Sequence, residues 1–216
     1  MTESATGIVL RTRPLTETSL IVHWLTPAAG RVSTVAKGAR RAKSPFRGKL
    51  DLFYEADLSF VRSRRSELHT LREVNLRETH AALRHDLGSL RQACYGAALI
   101  ELATERDTPL PTIFELMRDF LGVLTAAPPA SRNLFAFELK LLNELGLQPD
   151  VEKSRLTPGA RQIVAALLQS PWSTINRLEL SKGQVTELRQ FLHGFLIFHL
   201  ERVPPSRASA LDAKGL

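Results

Sequence analysis

The stretch VAKGARRAKSPFRGKL, residues 35–50, carries six cations and no anion: Lys37, Arg40, Arg41, Lys43, Arg47 and Lys49. Side chains of this type at this density suit one chemistry above others, the neutralisation of phosphates along a polyanion. Two glycines and a proline within the stretch exclude a long regular helix, so the charge belongs to a loop. A second basic turn, RSRR at 62–65, adds Arg62, Arg64 and Arg65. Phe46, between Pro45 and Arg47, is placed as a ring on which a base can stack. Trp24, Tyr54 and Phe60 are further stacking candidates, but they lie on strand-like runs, where a small barrel more often uses such residues to fill its interior. No element for reading base edges is visible, so phosphate contacts with low sequence specificity are expected.

Other chemistries find less support. The six histidines are His23, His69, His80, His85, His193 and His199. His80 and His85 would point about 140° apart on a helix, and no carboxylate sits at the spacing of a metalloprotease helix. With a single cysteine and no ligand cluster, no metal is expected. Cys94 falls on an apolar helix face, where a thiol behaves as a small hydrophobe. AKGAR lacks the spacing of a phosphate-cradling glycine loop, and no serine sits in a nucleophile elbow. Neither an enzyme nor a cofactor is indicated.

The chain has 216 residues and a net charge of +7. Residues 1–78 hold 14 Lys and Arg against 8 Asp and Glu, whereas residues 79–216 hold 15 against 14. Confinement of the excess to the first third marks a polyanion-binding module followed by a nearly neutral one. One thiol fits a reducing compartment, and MTESATGIVL lacks the basic start of a signal peptide. The longest nearly apolar run, 191–200, is far short of the roughly 20 residues that span a bilayer. These features predict a soluble cytoplasmic protein with no membrane contact.

Elements that would position the basic loop follow from periodicity. Runs at 6–13, 19–26, 31–37, 50–63 and 66–76 are short and β-branched or alternating, and read as five strands. On the fourth, Leu52, Tyr54, Ala56, Leu58 and Phe60 share one side. On the fifth, Leu71, Glu73 and Asn75 share one side, opposite Leu68, Thr70 and Arg72. Five short strands in about 70 residues predict a closed or nearly closed barrel, since closure removes exposed edges. From residue 79 the period becomes helical. Leu83, Leu87, Leu90, Cys94 and Ala97 mark a helix over roughly 80–105. Thr112 with Glu115 reads as a capping box, and Ser131 precedes a helix that Gly146 and Pro149 end. Thr157 and Pro158 suit an N-cap and first position, and Ser181 with Gln184 forms another capping box. The division is therefore a barrel at 1–78, a helical domain at 79–202, and a tail at 203–216 without a periodic apolar face, expected to be disordered.

These residues resemble a known family. The block GIVLRTRPLTETSLIVHWLTPAAGRVSTVAKGARRAKSPFRGKL is similar to the N-terminal region of the bacterial recombination mediator RecO family. The matching features are Gly7-Ile8-Val9-Leu10, Thr12-Arg13-Pro14, Glu17, Ser19-Leu20, Gly30-Arg31-Val32 and Ala36-Lys37-Gly38-Ala39-Arg40. FELKLLNELGLQPD at 137–150 resembles the family's helix and LGL turn. The resemblance implies an α+β fold, a five-stranded OB-fold barrel followed by an all-helical C-terminal domain. It implies a non-enzymatic mediator that binds single- and double-stranded DNA and anneals complementary strands. The implied partners are RecR, the acidic C-terminal tail of the single-stranded DNA-binding protein and, indirectly, RecA, at the nucleoid. Many members carry a four-cysteine zinc module after the LGL turn, whereas QPDVEKSRLTPGARQ is short and has no cysteine.

The DNA contacts are thus expected at Lys37, Arg40, Arg41, Lys43, Phe46, Arg47, Lys49, Arg62, Arg64 and Arg65. The tail peptide needs an apolar slot beside cations, which Phe114, Met117, Leu121, Arg118, Arg132 and Lys140 would supply. Two other readings of the basic loop are an RNA-binding OB-fold factor and a scaffold that docks an acidic protein.

Overall fold

The computed structural model describes residues 2–212, which divide into two compact units. The first contains five strands: β1 (Thr2–Pro14), β2 (Leu20–Thr26), β3 (Gly30–Ala36), β4 (Glu55–Val61) and β5 (Leu68–Glu78). They close into a barrel in the order β1-β2-β3-β5-β4, with β3 and β5 parallel and the other pairs antiparallel. This is the five-stranded closed order of the OB-fold. Alternation sends Val9, Val22, Trp24, Val32, Ala56, Leu58, Phe60, Leu71 and Val74 into the interior. Trp24 satisfies its buried indole by donating Nε1–H to Thr34 Oγ1 at 2.9 Å.

Two details depart from simple alternation. The register of β4 against β5 slips between Ser59 and Phe60, so Arg72 becomes the extra residue of a bulge. Past it, Val74 turns inward and Glu73 outward, contrary to the expected Leu71–Glu73–Asn75 face. The fourth strand begins at Glu55, later than its sequence pattern suggests, because Phe53 adopts a positive φ of 64°. Phe53 N–H donates to Val9 O at 2.8 Å, and His80 Nδ1–H donates to the Phe53 carbonyl at 2.7 Å.

Residues 104–118, helical-domain residues by periodicity, group with the barrel unit. Leu110 N–H donates to Pro27 O and Asp107 N–H to Arg31 O. Gly30 is obligatory there: its φ is +66°, and a Cβ would lie 1.8 Å from the Thr108 carbonyl oxygen.

The second unit comprises residues 81–103 and 119–216, of which those to 212 are described. After a 3₁₀ turn at Ala81–Arg84 come α1 (Leu87–Ala103), α2 (Pro111–Ala126), α3 (Ser131–Glu144), α4 (Pro158–Gln169), α5 (Trp172–Ile175), α6 (Lys182–Leu200) and α7 (Arg207–Leu211). The first half of α2 belongs to the barrel unit and its second half to this one. Three ends behave as their sequences indicate. Thr157 caps α4 through Ala160 N–H, the Ser181–Gln184 capping box opens α6, and Gly146 closes α3 with Gly146 N–H on Asn143 O and Leu147 N–H on Leu142 O. The expected box at Thr112 is displaced, because Pro111 occupies the first helical position and Glu115 turns to Arg118.

The tail expectation is corrected for part of its length. Arg207–Leu211 form a helix with Arg207, Ala210 and Leu211 buried; residues 213–216 lie outside the described residues. A short helix without a periodic face holds here because Arg207 anchors it. Its Nε and Nη2 form a two-pronged pair with the carboxylate of the fully buried Glu138, at 2.7 and 2.9 Å. Tyr95 donates its hydroxyl to the same carboxylate at 2.6 Å. Burial, then the Glu138 charge, pushes the Tyr95 phenol well above its ordinary pKa. Burial opposes the Arg207 charge, but Glu138 outweighs it and raises that pKa. Gln92 adds a bond to Ala210 O at 3.2 Å. Among the described residues no helix is long and apolar enough to cross a membrane.

Removing one partner of a buried pair strands the other charge. Arg207→Ala is expected to cost roughly 3–5 kcal/mol of unfolding free energy, read as a lowered urea midpoint. A midpoint indistinguishable from the parent's would show that α7 is not held by this pair.

Candidate nucleic-acid interface

The basic loop leaves β3 at Ala36 and reaches Lys49 through successive tight turns. Ala39, Arg41, Ser44, Arg47 and Lys49 each donate N–H to the carbonyl three residues earlier. Gly38 and Gly48, at φ 69° and 72°, supply the left-handed corners. The loop is also fixed from outside. Arg40 N–H donates to Thr18 O at 3.0 Å, and Lys49 Nζ donates to Val74 O at 2.9 Å on β5. Phe46 is buried in the barrel's core cluster. Its expected role as an exposed stacking ring is therefore corrected: the ring is an anchor, drawn inward because burying it stabilises far more than solvent contact would.

With Phe46 inward, Lys37, Arg40, Arg41, Lys43 and Arg47 all point into solvent. Arg40 reaches Thr16 O and Arg47 reaches Ala42 O, weak bonds to neutral carbonyls at 3.4 and 3.3 Å. Among the described residues, none of these five forms an ion pair with a carboxylate. Lys49 is half-buried and spent on Val74 O.

The second basic turn divides. Arg64 and Arg65 are exposed. Arg62 binds Glu3 at 2.9 Å and Asp107 at 2.5 Å, and lies 5.9 Å from the centre of the Phe60 ring. The hydrogen bond that Arg62 donates to Glu3, then the one it donates to Asp107, raises its pKa, while Arg62 holds the Glu3 carboxyl below its usual range. As a phosphate contact, Arg62 is corrected to a structural cation.

A basic cluster that sequence reasoning missed surrounds His23. Arg11 pairs with His23 across β1 and β2, and Arg13 lies two residues on. Arg31 donates to Thr104 O, and Arg106 pairs with Glu67. His23 itself is buried, with Nδ1 2.9 Å from Ser33 Oγ. Burial first, then Arg11, Arg13, Arg106 and Arg31, lowers its pKa to about 4. The available signal was the Arg-x-Arg alternation at 11 and 13.

The expected peptide slot is largely corrected. Phe114, Met117 and Leu121 are buried interior side chains. Exposed Arg118 is paired with Glu115. Lys140 caps the end of α4 by donating to Leu168 O at 2.8 Å and Ser170 O at 3.0 Å; burial lowers its pKa. Arg132 borders a groove of about 480 Å³ that Pro129, Leu180, Lys182, Val185 and Leu211 also line. Cys94 is half-buried, and burial raises its thiol pKa. Among the described residues, no three or more His, Cys, Asp or Glu gather as a metal-holding group.

Two outcomes follow. His23 is neutral when folded but titrates near 6.5 when unfolded, so its contribution is complete above pH about 6.5 and declines as pH falls towards 4. That limb amounts to roughly 3 kcal/mol in urea unfolding and should vanish in His23→Gln; an unchanged profile would refute the assignment. Phe46→Ala should cost roughly 3–5 kcal/mol, while Arg41→Ala leaves the urea midpoint unchanged. Equal midpoints for the two variants would mean that Phe46 is no anchor.

Comparison with known proteins agrees with this architecture. Residues 1–80 match the family model for the recombination protein O N terminal region, and residues 84–155 match that for the C terminal region. A DNA repair protein RecO of Rhodopirellula baltica is 34% identical over 147 residues, 68% of this chain and 54% of that protein. One from Anaeromyxobacter dehalogenans is 36% identical over 68% of this chain and 58% of its own length. One from Bacillus subtilis is 31% identical over 67% and 56%. The matched segment thus spans little more than half the length of these relatives. With both terminal models matched in order over a closed barrel and a helical unit, the chain belongs to the RecO family.

Proposed function

We propose that the chain is a non-enzymatic mediator of DNA repair and recombination. Its barrel holds single- and double-stranded DNA by the phosphates, and the protein anneals complementary strands. The observation that carries this reading is the fixed loop with five solvent-facing cations and no carboxylate partner among the described residues. Like charges held together repel, and a polyanion relieves that repulsion. Arg64 and Arg65 extend the positive surface. The cluster of Arg11, Arg13, Arg31 and Arg106 adds to the field of the same unit. The relatives' name, DNA repair protein, supports DNA as the polyanion.

The proposed partners are RecR, the single-stranded DNA-binding protein and, through it, RecA, in the cytoplasm at the nucleoid. For the acidic tail of the single-stranded DNA-binding protein, the groove beside Arg132 and Lys182 now fits better than the buried Phe114–Leu121 face. It combines apolar walls with two cations, which an acidic peptide with an aromatic end requires.

Five phosphate contacts predict a slope of log affinity against log salt of about −3.5 for single strands. Arg40→Glu, Arg41→Glu and Lys43→Glu together should weaken DNA binding and annealing at least about tenfold with unchanged circular dichroism. Undiminished binding by the folded triple variant at physiological salt would move the site elsewhere. Competition by RNA oligonucleotide or acidic peptide at lower concentration than DNA would replace DNA as the ligand.

A further inference from the structure

The aromatic rings of the barrel unit are committed, wholly or in part, to its own interior. Trp24, Phe53 and Phe60 are at most 1% exposed, and Phe46 and Phe114 are buried as well. The rings of His23, His69 and His80 are also buried, and His69 lies stacked on Phe60 with the ring centres 5.5 Å apart. Tyr54 is half-buried and packs against the core cluster. The large apolar side chains that this unit exposes among the described residues are Leu15 and Leu76, and neither has a flat π face.

The cations of the same unit are disposed in the opposite sense. Lys37, Arg40, Arg41, Lys43 and Arg47 face solvent from a loop whose corners and outer bonds are fixed, and Arg64 and Arg65 face it from the turn between β4 and β5. Proteins that hold single strands ordinarily combine such charge with exposed rings on which successive bases stack, and each stacked base contributes roughly 5- to 150-fold in affinity. Here the charge faces outward and the rings face inward. Phe46 shows this within the loop itself, since its ring enters the core while the cations on both sides point out.

We propose that the barrel holds a single strand by its backbone with the bases turned away from the barrel surface, so that the strand stays open to pairing while bound. This rests on the reading of the barrel as the DNA-holding unit and adds the orientation of the ligand. The chemical group recognised is then the sugar-phosphate chain, with or without bases. Orientation decides whether binding and annealing cooperate. A strand whose bases lie on protein rings must leave them, one stacked base at a time, before a complementary strand can pair. A strand held by its phosphates alone presents its base-pairing edges at once. The duplex that forms keeps the phosphates that the loop already holds, so pairing breaks no contact with the barrel.

Two probes of equal length read this with the full chain: a mixed-sequence single strand and a fully abasic one, titrated by fluorescence anisotropy at about 0.1 M salt. The abasic strand is expected to bind within about fivefold of the base-bearing one; a greater loss overturns the orientation, because it reaches the contribution of a stacked base. Permanganate, which attacks thymine where its face is open, gives a second reading. Thymines of the bound strand should react as fast as those of the free strand, and protection at saturating protein overturns the proposal. Tyr54→Leu should likewise leave the affinity for the base-bearing strand within about fivefold of the parent's; a greater loss with parental circular dichroism would make that ring a stacking platform and refute it. A chain that binds neither probe removes the DNA reading and this proposal with it, whereas one that binds the base-bearing strand alone removes only the orientation.

Discussion

The presentation of positive charge by this molecule depends on one buried ring. Phe46 sits in the barrel core while its neighbours on both sides of the loop face water. Two unit charges at 4 Å in water repel by about 1 kcal/mol, and less at the larger separations and screening of an exposed loop. Full burial of a phenylalanine side chain contributes about 1.5–3 kcal/mol. The anchor therefore outweighs the mutual repulsion of any two neighbouring cations. The chain of turns and the bonds from Arg40 to Thr18 and from Lys49 to Val74 then leave the loop little freedom to spread its charge. Such preorganisation favours a polyanion, because less loop entropy remains to be lost on binding.

The arrangement of anions completes this electrostatic design. Glu3 and Asp107 hold Arg62, and Asp57 holds Arg77 at 2.8 Å. These three carboxylates are thus matched to arginines that serve the unit's structure. His23 shows what the remaining field does. Burial and four arginines keep that imidazole neutral well below ordinary pH. A protonated His23 would add charge inside the basic cluster, so the barrel is most stable where the histidine carries none.

Much of the architecture was legible because it is written in local periods. Period-two runs gave five strands, and Thr157–Pro158, Ser181–Gln184 and Gly146 marked helix ends through bonds made within five residues. The failures share a cause, which is contact across long sequence separations. Phe46 looks like a loop aromatic until the barrel closes beneath it. Val74 replaces Glu73 inside because a bulge at Arg72 answers a partner strand. Arg62 reads as a free cation until Glu3 and Asp107, 59 residues before and 45 after it, reach it. Phe114, Met117 and Leu121 have the spacing of an apolar slot, but the same spacing serves a buried face, and burial is what they have. Arg207 lies in a segment without periodicity, and its partner Glu138 is 69 residues away.

The Glu138–Arg207 pair has a consequence for the surface as well as for the interior. A buried ion pair adds little net stability compared with well-packed apolar residues, but its fixed geometry specifies a unique arrangement. Here it fixes the segment from Val203 to Leu211 against α3 and α6, and that segment forms the proline wall of the groove beside Gln190 and His193. The groove is therefore preformed, with a rigid rim.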